Sequence, residues 1–207
     1  MRKGKFITFE GIDGSGKSTQ AKLLYETLRD RGIDVILTRE IGGTPEAEKI
    51  RDIVVNSDIL SMTELLLIMA ARYEHIHKVI LPALNKGQWV ICDRFIDSTA
   101  IYQGYLSTDI SVDMVYRLHD ELISSLMPDL TIVLNATVKE AATRIISRCD
   151  SCNNKFEEKD SKYHEKAAVK FQKLEDIFPD RIYNISFKDR KTINNIIEYI
   201  VEDKFNI

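Results

Sequence analysis

A glycine-rich stretch near the start of the sequence carries the clearest chemistry. Residues 9–20 read FEGIDGSGKSTQ, with three glycines in six residues followed by a lysine and two hydroxyl side chains. Residues 11–18 fit the pattern G-x-x-x-x-G-K-[ST], in which backbone N–H groups converge on phosphate oxygens because glycine has no Cβ in the way. An apolar run precedes the stretch and a helical pattern follows it, so a polyphosphate cradle is favoured over a simple helix-capping turn.

Three side chains predict how such a polyphosphate is held. Lys17 can reach the β- and γ-phosphates, and the Ser18 hydroxyl can take a position on Mg²⁺. Asp93 ends the apolar run WVICD, where a carboxylate can bind the same cofactor ion, although it can also be a simple turn residue. The predicted nucleoside triphosphate site comprises Gly11, Ile12, Asp13, Gly14, Ser15, Gly16, Lys17, Ser18 and Thr19.

Further polar clusters predict a second, small anionic substrate. They are TREIGGTPEAEKIR (38–51), AARYEH (70–75) and DRFIDSTAIYQG (93–104). They contain Arg39, Arg72 and Arg94, whose planar guanidinium groups suit phosphate and base carbonyls. A lone arginine is more often a surface ion-pair residue, so the prediction depends on their convergence at the carboxyl ends of the sheet. The sequence lacks the N-K-x-D element of a GTPase switch.

The apolar pattern predicts the elements that must position these residues. Runs of strand length without polar alternation, typical of strands buried on both faces, occupy 5–10, 33–38, 88–93, 129–135 and 181–186. Helical patterns alternate with them at 18–31, 63–85, 111–126, 139–148, 162–177 and 192–201. This alternation predicts an α/β fold of three layers, with a five-stranded parallel sheet flanked by helices. Polar residues 149–161 predict a surface loop that serves as a lid.

Composition narrows the classes of partner. The 207 residues carry a formal net charge of −3, which argues against an extended nucleic-acid or membrane-binding surface. No apolar run approaches the ~18 residues of a membrane span, and the start MRKGKFITFEG is unlike a signal peptide because Glu10 interrupts its apolar run. Three cysteines favour a reducing, cytoplasmic compartment.

The same stretches, in order along nearly the whole chain, resemble those of the thymidylate (dTMP) kinases. FEGIDGSGKSTQ looks like the family's P-loop, and TREIGGTPEAEKIR is similar to T-R-E-P-G-G-T-x-x-x-E-K-I-R. TELLLIMAARYEH is similar to T-E-x-L-L-F-x-A-x-R-x-x-H, and DRFIDSTAIYQG to D-R-Y-x-D-S-S-x-A-Y-Q-G. The resemblance implies one P-loop NTPase domain over residues 1–207, with a lid at about 147–161, and a homodimer.

The resemblance also implies the binding residues. The dTMP-binding residues would be Asp13, Arg39, Ile68, Arg72, Arg94, Thr99, Tyr102 and Gln103. Asp13 would bind the 3′-hydroxyl, Arg39 and Arg94 the 5′-phosphate. Arg72 would donate to thymine O4, and Thr99 and Gln103 would read the base edge. Tyr102 would pack under the sugar and disfavour a ribose.

The implied reaction is direct, in-line transfer from ATP·Mg²⁺ to dTMP, with Lys17, Arg94 and Arg148 as catalytic residues and Arg144 on the ATP side. No arginine occupies the variable P-loop positions Gly14 and Ser15, so the lid residues Arg148 and Lys155 are predicted to supply the transition-state cation.

Some positions depart from the family pattern. Ile41 replaces a proline, Phe95 replaces a tyrosine, and Ile68 stands where an aromatic residue stacks on thymine. We therefore expect dUMP to be a poorer substrate rather than an excluded one. Cys149 and Cys152 form a single CxxC pair, which is weak support for zinc or redox chemistry. A nucleotide-binding module without kinase activity, and a kinase for another nucleotide or deoxynucleoside, remain the alternatives.

Overall fold

A parallel β-sheet forms the centre of the molecule. The computed structural model of the chain describes residues 4–123, 126–146, 161–186 and 188–207. The strands are β1 Phe6–Glu10, β2 Val35–Arg39, β3 Trp89–Asp93, β4 Leu130–Asn135 and β5 Ile182–Ser186. They lie in the order β2-β3-β1-β4-β5, all parallel. Each overlaps one of the predicted runs, and only β2 extends one residue beyond its run, to Arg39, so the predicted five-stranded parallel sheet is confirmed.

Helices flank this sheet. They are α1 Lys17–Asp30, α2 Pro45–Asn56, α3 Ser61–His75, α4 Leu81–Asn85, α5 Ile96–Thr99, α6 Val112–Ile123, α7 Val138–Ile146, α8 Ser161–Gln172, α9 Leu174–Ile177 and α10 Arg190–Phe205. The π-helical turns Ile76–Ile80 and Ala100–Tyr105 continue α3 and α5, so the predicted helix 63–85 consists of three consecutive segments. In the described part of the chain, no helix has the length and hydropathy to cross a membrane.

Two helical regions were missed by the sequence pattern. Helix α2 begins at Pro45, and the Thr44 side chain accepts a hydrogen bond from the Ala47 N–H, a capping signal present in the sequence. Helix α5 has no apolar stripe because Asp97, Ser98 and Thr99 are polar. These three residues are nevertheless buried. A pattern that assigns polar residues to solvent cannot detect such a helix.

Alternation along the strands produces the three layers. Phe6 of β1 belongs to a core with residues of α3 and α6, whereas Ile7 belongs to a separate core with residues of α1 and α10. Neighbouring side chains of a strand point to opposite faces, so both faces of the sheet are covered. This burial explains why the strand sequences are continuously apolar.

The carboxyl ends of the strands bring the polar stretches together. Strand β3 pairs with β2 so that Arg39 lies beside Asp93, and it pairs with β1 so that Phe9 lies beside Asp93. The chain segments that follow β1, β2 and β3 therefore leave the sheet at one edge. This edge carries the residues predicted to bind the two substrates.

Candidate active site

The glycine-rich loop lies between β1 and α1 as the sequence predicted. Gly16 is the N-cap of α1 and has φ 101°, and Gly14 has φ 77°. A Cβ at position 14 would lie 2.4 Å from the carbonyl oxygen of Ala141, so a larger residue cannot be placed there without displacing α7. The loop leads directly into a helix N-terminus, where unpaired N–H groups favour an anion.

Lys17 is folded back over this loop. Its side chain is buried, and its Nζ donates to the carbonyl oxygen of Ile12 at 2.7 Å. Burial, reinforced by Arg94, lowers the pKa of Lys17 to about 8, while the carboxylates of Asp13 and Asp93 oppose the shift. The Lys17 ammonium is therefore held in place, and the nearby carboxylates do not fully balance its positive charge. A polyanion bound beside it would supply the missing negative charge.

The two residues predicted to bind a metal, Ser18 and Asp93, contact each other. The Ser18 hydroxyl donates to Oδ2 of Asp93, while Oδ1 of Asp93 is buried without a hydrogen-bond partner in the described residues. An unpartnered carboxylate oxygen beside a hydroxyl fits Mg²⁺, which prefers oxygen ligands and takes the rest of its shell from water and substrate phosphates. Within the described ranges no larger His, Cys, Asp or Glu cluster suited to a metal occurs.

Arg94 connects the phosphate loop to the second predicted pocket. Its Nη1 donates to the Gly11 carbonyl oxygen at 3.0 Å and to the Ser98 hydroxyl at 2.7 Å. Its Nη2 donates to Oδ1 of Asp13 at 2.7 Å, and its guanidinium lies 5.4 Å from the centre of the Tyr102 ring. Arg94 lowers the pKa of Asp13, so this carboxyl is ionised and acts as an acceptor. Among the described residues, these three bonds hold the guanidinium, which has five N–H donors, beside the phosphate loop.

Arg72 occupies a buried polar site deeper in the structure. Its Nε donates to Oε2 of Glu40 at 2.7 Å, and its Nη2 donates to the Thr99 hydroxyl at 2.8 Å. The guanidinium also lies 5.1 Å from the centre of the Phe95 ring. Burial alone would raise the pKa of Glu40, but Arg72 and His75 outweigh it and lower that pKa. The direction of Arg72 is thus set by the protein before any ligand binds.

The other predicted base- and sugar-binding residues lie nearby in the fold. Thr99 ends α5, and Tyr102 and Gln103 follow in the π-helical turn. The Gln103 amide donates to Oε1 of Glu64 at 2.9 Å, which fixes its orientation. Ile68 is buried on α3.

Arg39 is placed differently from the other predicted arginines. It is 48% exposed and pairs with Glu48 at 2.6 Å. Sequence reasoning missed its neighbour Arg51, whose Nη1 donates to the carbonyl oxygen of Ile41 at 3.1 Å. Burial lowers the pKa of Arg51, and the positive charges of Arg39 and Arg94 add to this effect. A fourth arginine therefore contributes to the positive field at this edge.

Arg144 contacts the phosphate loop from helix α7. It stands near the end of α7, and its Nη1 donates to the carbonyl oxygen of Ser15 at 3.0 Å. The predicted lid residues Arg148 and Lys155, and the pair Cys149 and Cys152, lie outside the described residues. Their roles stay predictions.

Buried carboxylates were the other residues that sequence reasoning missed. Glu10, Glu40 and Glu64 are each at most 9% exposed, and each bonds to a residue of the 94–103 segment or to Arg72. The sequence held a signal for two of them: Glu10 ends the apolar strand FITFE, and Glu40 directly follows a strand in TRE. A buried charge requires partners, and that requirement points to the neighbouring arginines.

The fold and the site together define a P-loop nucleotide-binding protein, with the phosphate loop after β1 and an acidic end to β3. The family model described as thymidylate kinase matches residues 9–196. Thymidylate kinase of Rickettsia typhi is 51% identical over 185 residues, which cover 89% of this chain and 90% of the relative. That of Orientia tsutsugamushi is 51% identical over 187 residues, covering 88% and 85%.

A solved structure gives the same result. The crystal structure of thymidylate kinase from Ehrlichia chaffeensis matches with a TM-score of 0.78 and 33% identity, covering 96% of this chain and 98% of that one. The chain belongs to the thymidylate kinase family, and both the family and the P-loop NTPase fold predicted from the motifs are confirmed.

Proposed function

We propose that this protein transfers the γ-phosphoryl group of ATP, bound with Mg²⁺, to dTMP, giving dTDP and ADP. The observation that carries the proposal is the position of Arg94, which binds the phosphate loop through Gly11 and whose guanidinium also lies beside the ring of Tyr102. A side chain in that position can hold an acceptor phosphate against a donor polyphosphate. A module that only binds one nucleotide has no use for this second phosphate site.

On the donor side, the backbone N–H groups of the glycine-rich loop and the start of α1 bind the polyphosphate. Lys17 neutralises its terminal phosphates, and Arg144 closes the loop from the side of α7. Ser18 and Asp93 hold Mg²⁺, whose charge balances the negative charge on the phosphate oxygens.

On the acceptor side, Arg94 binds the 5′-phosphate and is assisted by the more exposed Arg39. The ionised Asp13 accepts a hydrogen bond from the 3′-hydroxyl while it also receives one from Arg94. Tyr102 packs against the sugar, and Arg72 donates to thymine O4. The acceptor is therefore held at its base, its sugar and its phosphate.

Catalysis in this arrangement is mainly alignment. The acceptor phosphate oxygen is already ionised, so the reaction requires no strong general base. The protein contributes Lys17 and Arg94 on either side of the transferring group, where fixed cations stabilise the developing charge. Arg148 stays the predicted third cation.

Selectivity for thymine is predicted to be moderate. Ile68 supplies an aliphatic face to the base, and a single methyl group distinguishes thymine from uracil, worth only about 1–3 kcal/mol. Thr99 and Gln103 are already oriented by Arg72 and Glu64. We therefore expect dUMP to be phosphorylated with a kcat/KM lower than that of dTMP by about 10–100-fold.

An ADP-release assay across several acceptors tests the proposal. The acceptors are dTMP, dUMP, dGMP, dCMP, AMP and thymidine, each added to the enzyme with ATP and Mg²⁺. The proposal expects ADP release that depends on dTMP, with dUMP second. If ATP is hydrolysed equally fast with and without an acceptor, the protein is a nucleotide-binding module with ATPase activity rather than a kinase. A preference for another acceptor would assign a different kinase.

We also propose a homodimer that forms through α3. Leu66 and Tyr73 lie seven residues apart on this helix, and they are 51% and 46% exposed. Residues at this spacing share one helix face, and an exposed apolar face favours association. Leu66→Asp is expected to produce a monomer in light scattering, whereas Tyr199→Asp on α10 leaves the dimer intact. A wild-type monomer would contradict the proposal.

A further inference from the structure

Glu10 is a buried charge at the boundary between β1 and the phosphate loop. It is 0% exposed and is the last residue of β1. Its Oε1 accepts hydrogen bonds from the backbone N–H groups of Phe95 at 2.8 Å and Ser98 at 3.2 Å. Its Oε2 accepts from the Ser98 hydroxyl at 2.5 Å. All three bonds reach into the segment that carries Arg94.

These partners fix Arg94 at both its side chain and its backbone. The Ser98 hydroxyl that donates to Glu10 also accepts from Nη1 of Arg94 at 2.7 Å. Arg94 has φ 71°, a left-handed conformation that residues other than glycine rarely adopt. Its own N–H donates to the Phe9 carbonyl oxygen at 2.9 Å, and the next N–H is held by Glu10. Strained conformations of this kind persist where surrounding contacts enforce them.

We propose that Glu10 is a positioning residue for the acceptor phosphate, acting through Ser98 and the backbone at residue 95 to hold Arg94 in its binding orientation. The inference rests on the proposed function, because it assumes that Arg94 binds the acceptor. Glu10 touches neither substrate in this account. Since Glu10 directly precedes the glycine-rich loop, one residue ties the donor cradle and the acceptor arginine to the same strand.

The charges around Glu10 make its positioning of Arg94 depend on pH. The titratable groups that act on it or respond to it come from several elements: Lys17 of α1, Cys92 of β3, Arg94, Asp97 of α5, Tyr116 of α6, and Arg181 before β5. Burial, with a contribution from Asp97, raises the pKa of Glu10 to about 7, while Arg94 and the bonds to Ser98 and Phe95 oppose the shift.

The ionised form is the one that holds Arg94 fully. An ionised carboxylate accepts all three bonds, whereas a protonated one carries a hydrogen on one oxygen and has less capacity to accept. Glu10 therefore accepts all three bonds above its pKa, and its positioning of Arg94 weakens as the pH falls through about 7.

Steady-state kinetics of Glu10→Gln, Ser98→Ala and the double variant test this role. Each single variant is expected to raise the KM for dTMP about tenfold, because a charge-assisted bond is lost, and to leave the KM for ATP within about twofold. The double variant is expected to lie within about twofold of Glu10→Gln, since both changes break one chain of contacts. Ser98→Ala removes only a hydroxyl, so it provides the test if Glu10→Gln does not fold.

Thr8→Val is the matched control for structural damage. Thr8 lies on the same strand and is buried, and its hydroxyl bonds to that of Thr131 at 2.8 Å, a bond that valine cannot make. None of the hydrogen bonds that Arg94 makes with the described residues goes to Thr8. It is expected to lower the Tm and to leave the KM for dTMP unchanged. A purely structural role predicts that Glu10→Gln and Ser98→Ala change the KM for dTMP and the KM for ATP together, in proportion to the loss of Tm. That result would show that the inference is wrong.

A pH profile gives a second readout. The ratio of kcat/KM for dTMP between wild type and Glu10→Gln is expected to rise with pH, with an apparent pKa near 7. The dTMP phosphate titrates equally with both proteins, so its ionisation cancels in the ratio. A ratio that does not vary with pH would count against the pH-linked hold.

Arg94→Lys separates failure of this inference from failure of the proposed function. If Arg94→Lys raises the KM for dTMP and Glu10→Gln does not, the role of Glu10 is wrong while that of Arg94 is supported. If the wild type forms no dTDP, or Arg94→Lys has no effect on dTMP, the proposed function itself is overturned.

Discussion

The donor side and the acceptor side of the site are built in different ways. The donor cradle consists of consecutive residues, in which backbone conformation at Gly14 and Gly16 does most of the work. The acceptor side consists of arginines from separate segments, and Arg72 and Arg94 depend on buried partners such as Glu40 and Asp13. The donor side is therefore local in sequence, whereas the acceptor side exists only after the strands have assembled.

This difference has a consequence for substitution. A backbone cradle loses function when a glycine or the single lysine is changed. An acceptor pocket made of held arginines also loses function when a supporting carboxylate is changed, even though that carboxylate touches no ligand. The following experiments compare the two sides, from the largest expected effect to the smallest.

Lys17→Ala tests the donor side directly. We expect kcat to fall by about 10³-fold, because this ammonium is the fixed cation at the terminal phosphates. The matched control is Lys22→Ala, which removes a lysine of the same helix that is 69% exposed and pairs with Glu26. In steady-state ADP release, Lys22→Ala should have the same kcat as wild type. A kcat for Lys17→Ala within about threefold of wild type would show that the loop alone suffices.

Arg94→Ala tests the acceptor side. We expect kcat/KM for dTMP to fall by about 10²-fold, since truncation removes a phosphate ligand and leaves Asp13 without its ion-pair partner. The KM for ATP should change much less than that for dTMP. Arg117→Ala, at an exposed arginine of α6, is the control. Equal effects on both substrates would erase the distinction between the two sides.

Glu40→Gln tests whether a supporting carboxylate matters. We expect the KM for dTMP to rise about tenfold because Arg72 loses a charged partner, and urea unfolding should show a lower free energy of unfolding. Glu46→Gln is the surface control: Glu46 pairs with Lys78 at an exposed position, and no change is expected. If Glu40→Gln binds dTMP as wild type does, the orientation of Arg72 does not depend on Glu40.

The smallest expected effect is a proton taken up at Lys17. Burial lowers its pKa to about 8, so much of the ligand-free protein is neutral there above that pH. Polyphosphate beside it favours the ammonium, so binding must raise the pKa and take up a fraction of a proton. Calorimetry with a non-hydrolysable ATP analogue and Mg²⁺, at about pH 8.5 in two buffers, should detect it. Lys17→Ala should abolish it, and proton release would contradict the assignment.

The sequence predicted the local structure of the donor loop better than the contacts that hold the acceptor-side arginines. The five parallel strands follow from the alternation of apolar runs with helical patterns, whereas their order in the sheet was not predicted. The loop at residues 11–18 follows from the spacing of its glycines before a helix. Arg72 and Arg94 were also predicted, but the carboxylates Glu10 and Glu40 that hold them were not. Burial of an acid is decided by strands and helices distant in sequence, and no local pattern reports it.

The most direct test of the whole account uses a single ligand that spans both sides. This ligand is adenosine joined to thymidine by a chain of phosphates as long as those of the donor and acceptor together. We expect calorimetry to give one ligand per chain, bound at least about 10²-fold more tightly than ATP. Lys17→Ala and Arg94→Ala should each weaken that binding. An affinity equal to that of ATP and insensitive to Arg94→Ala would show that no acceptor site lies opposite the phosphate loop.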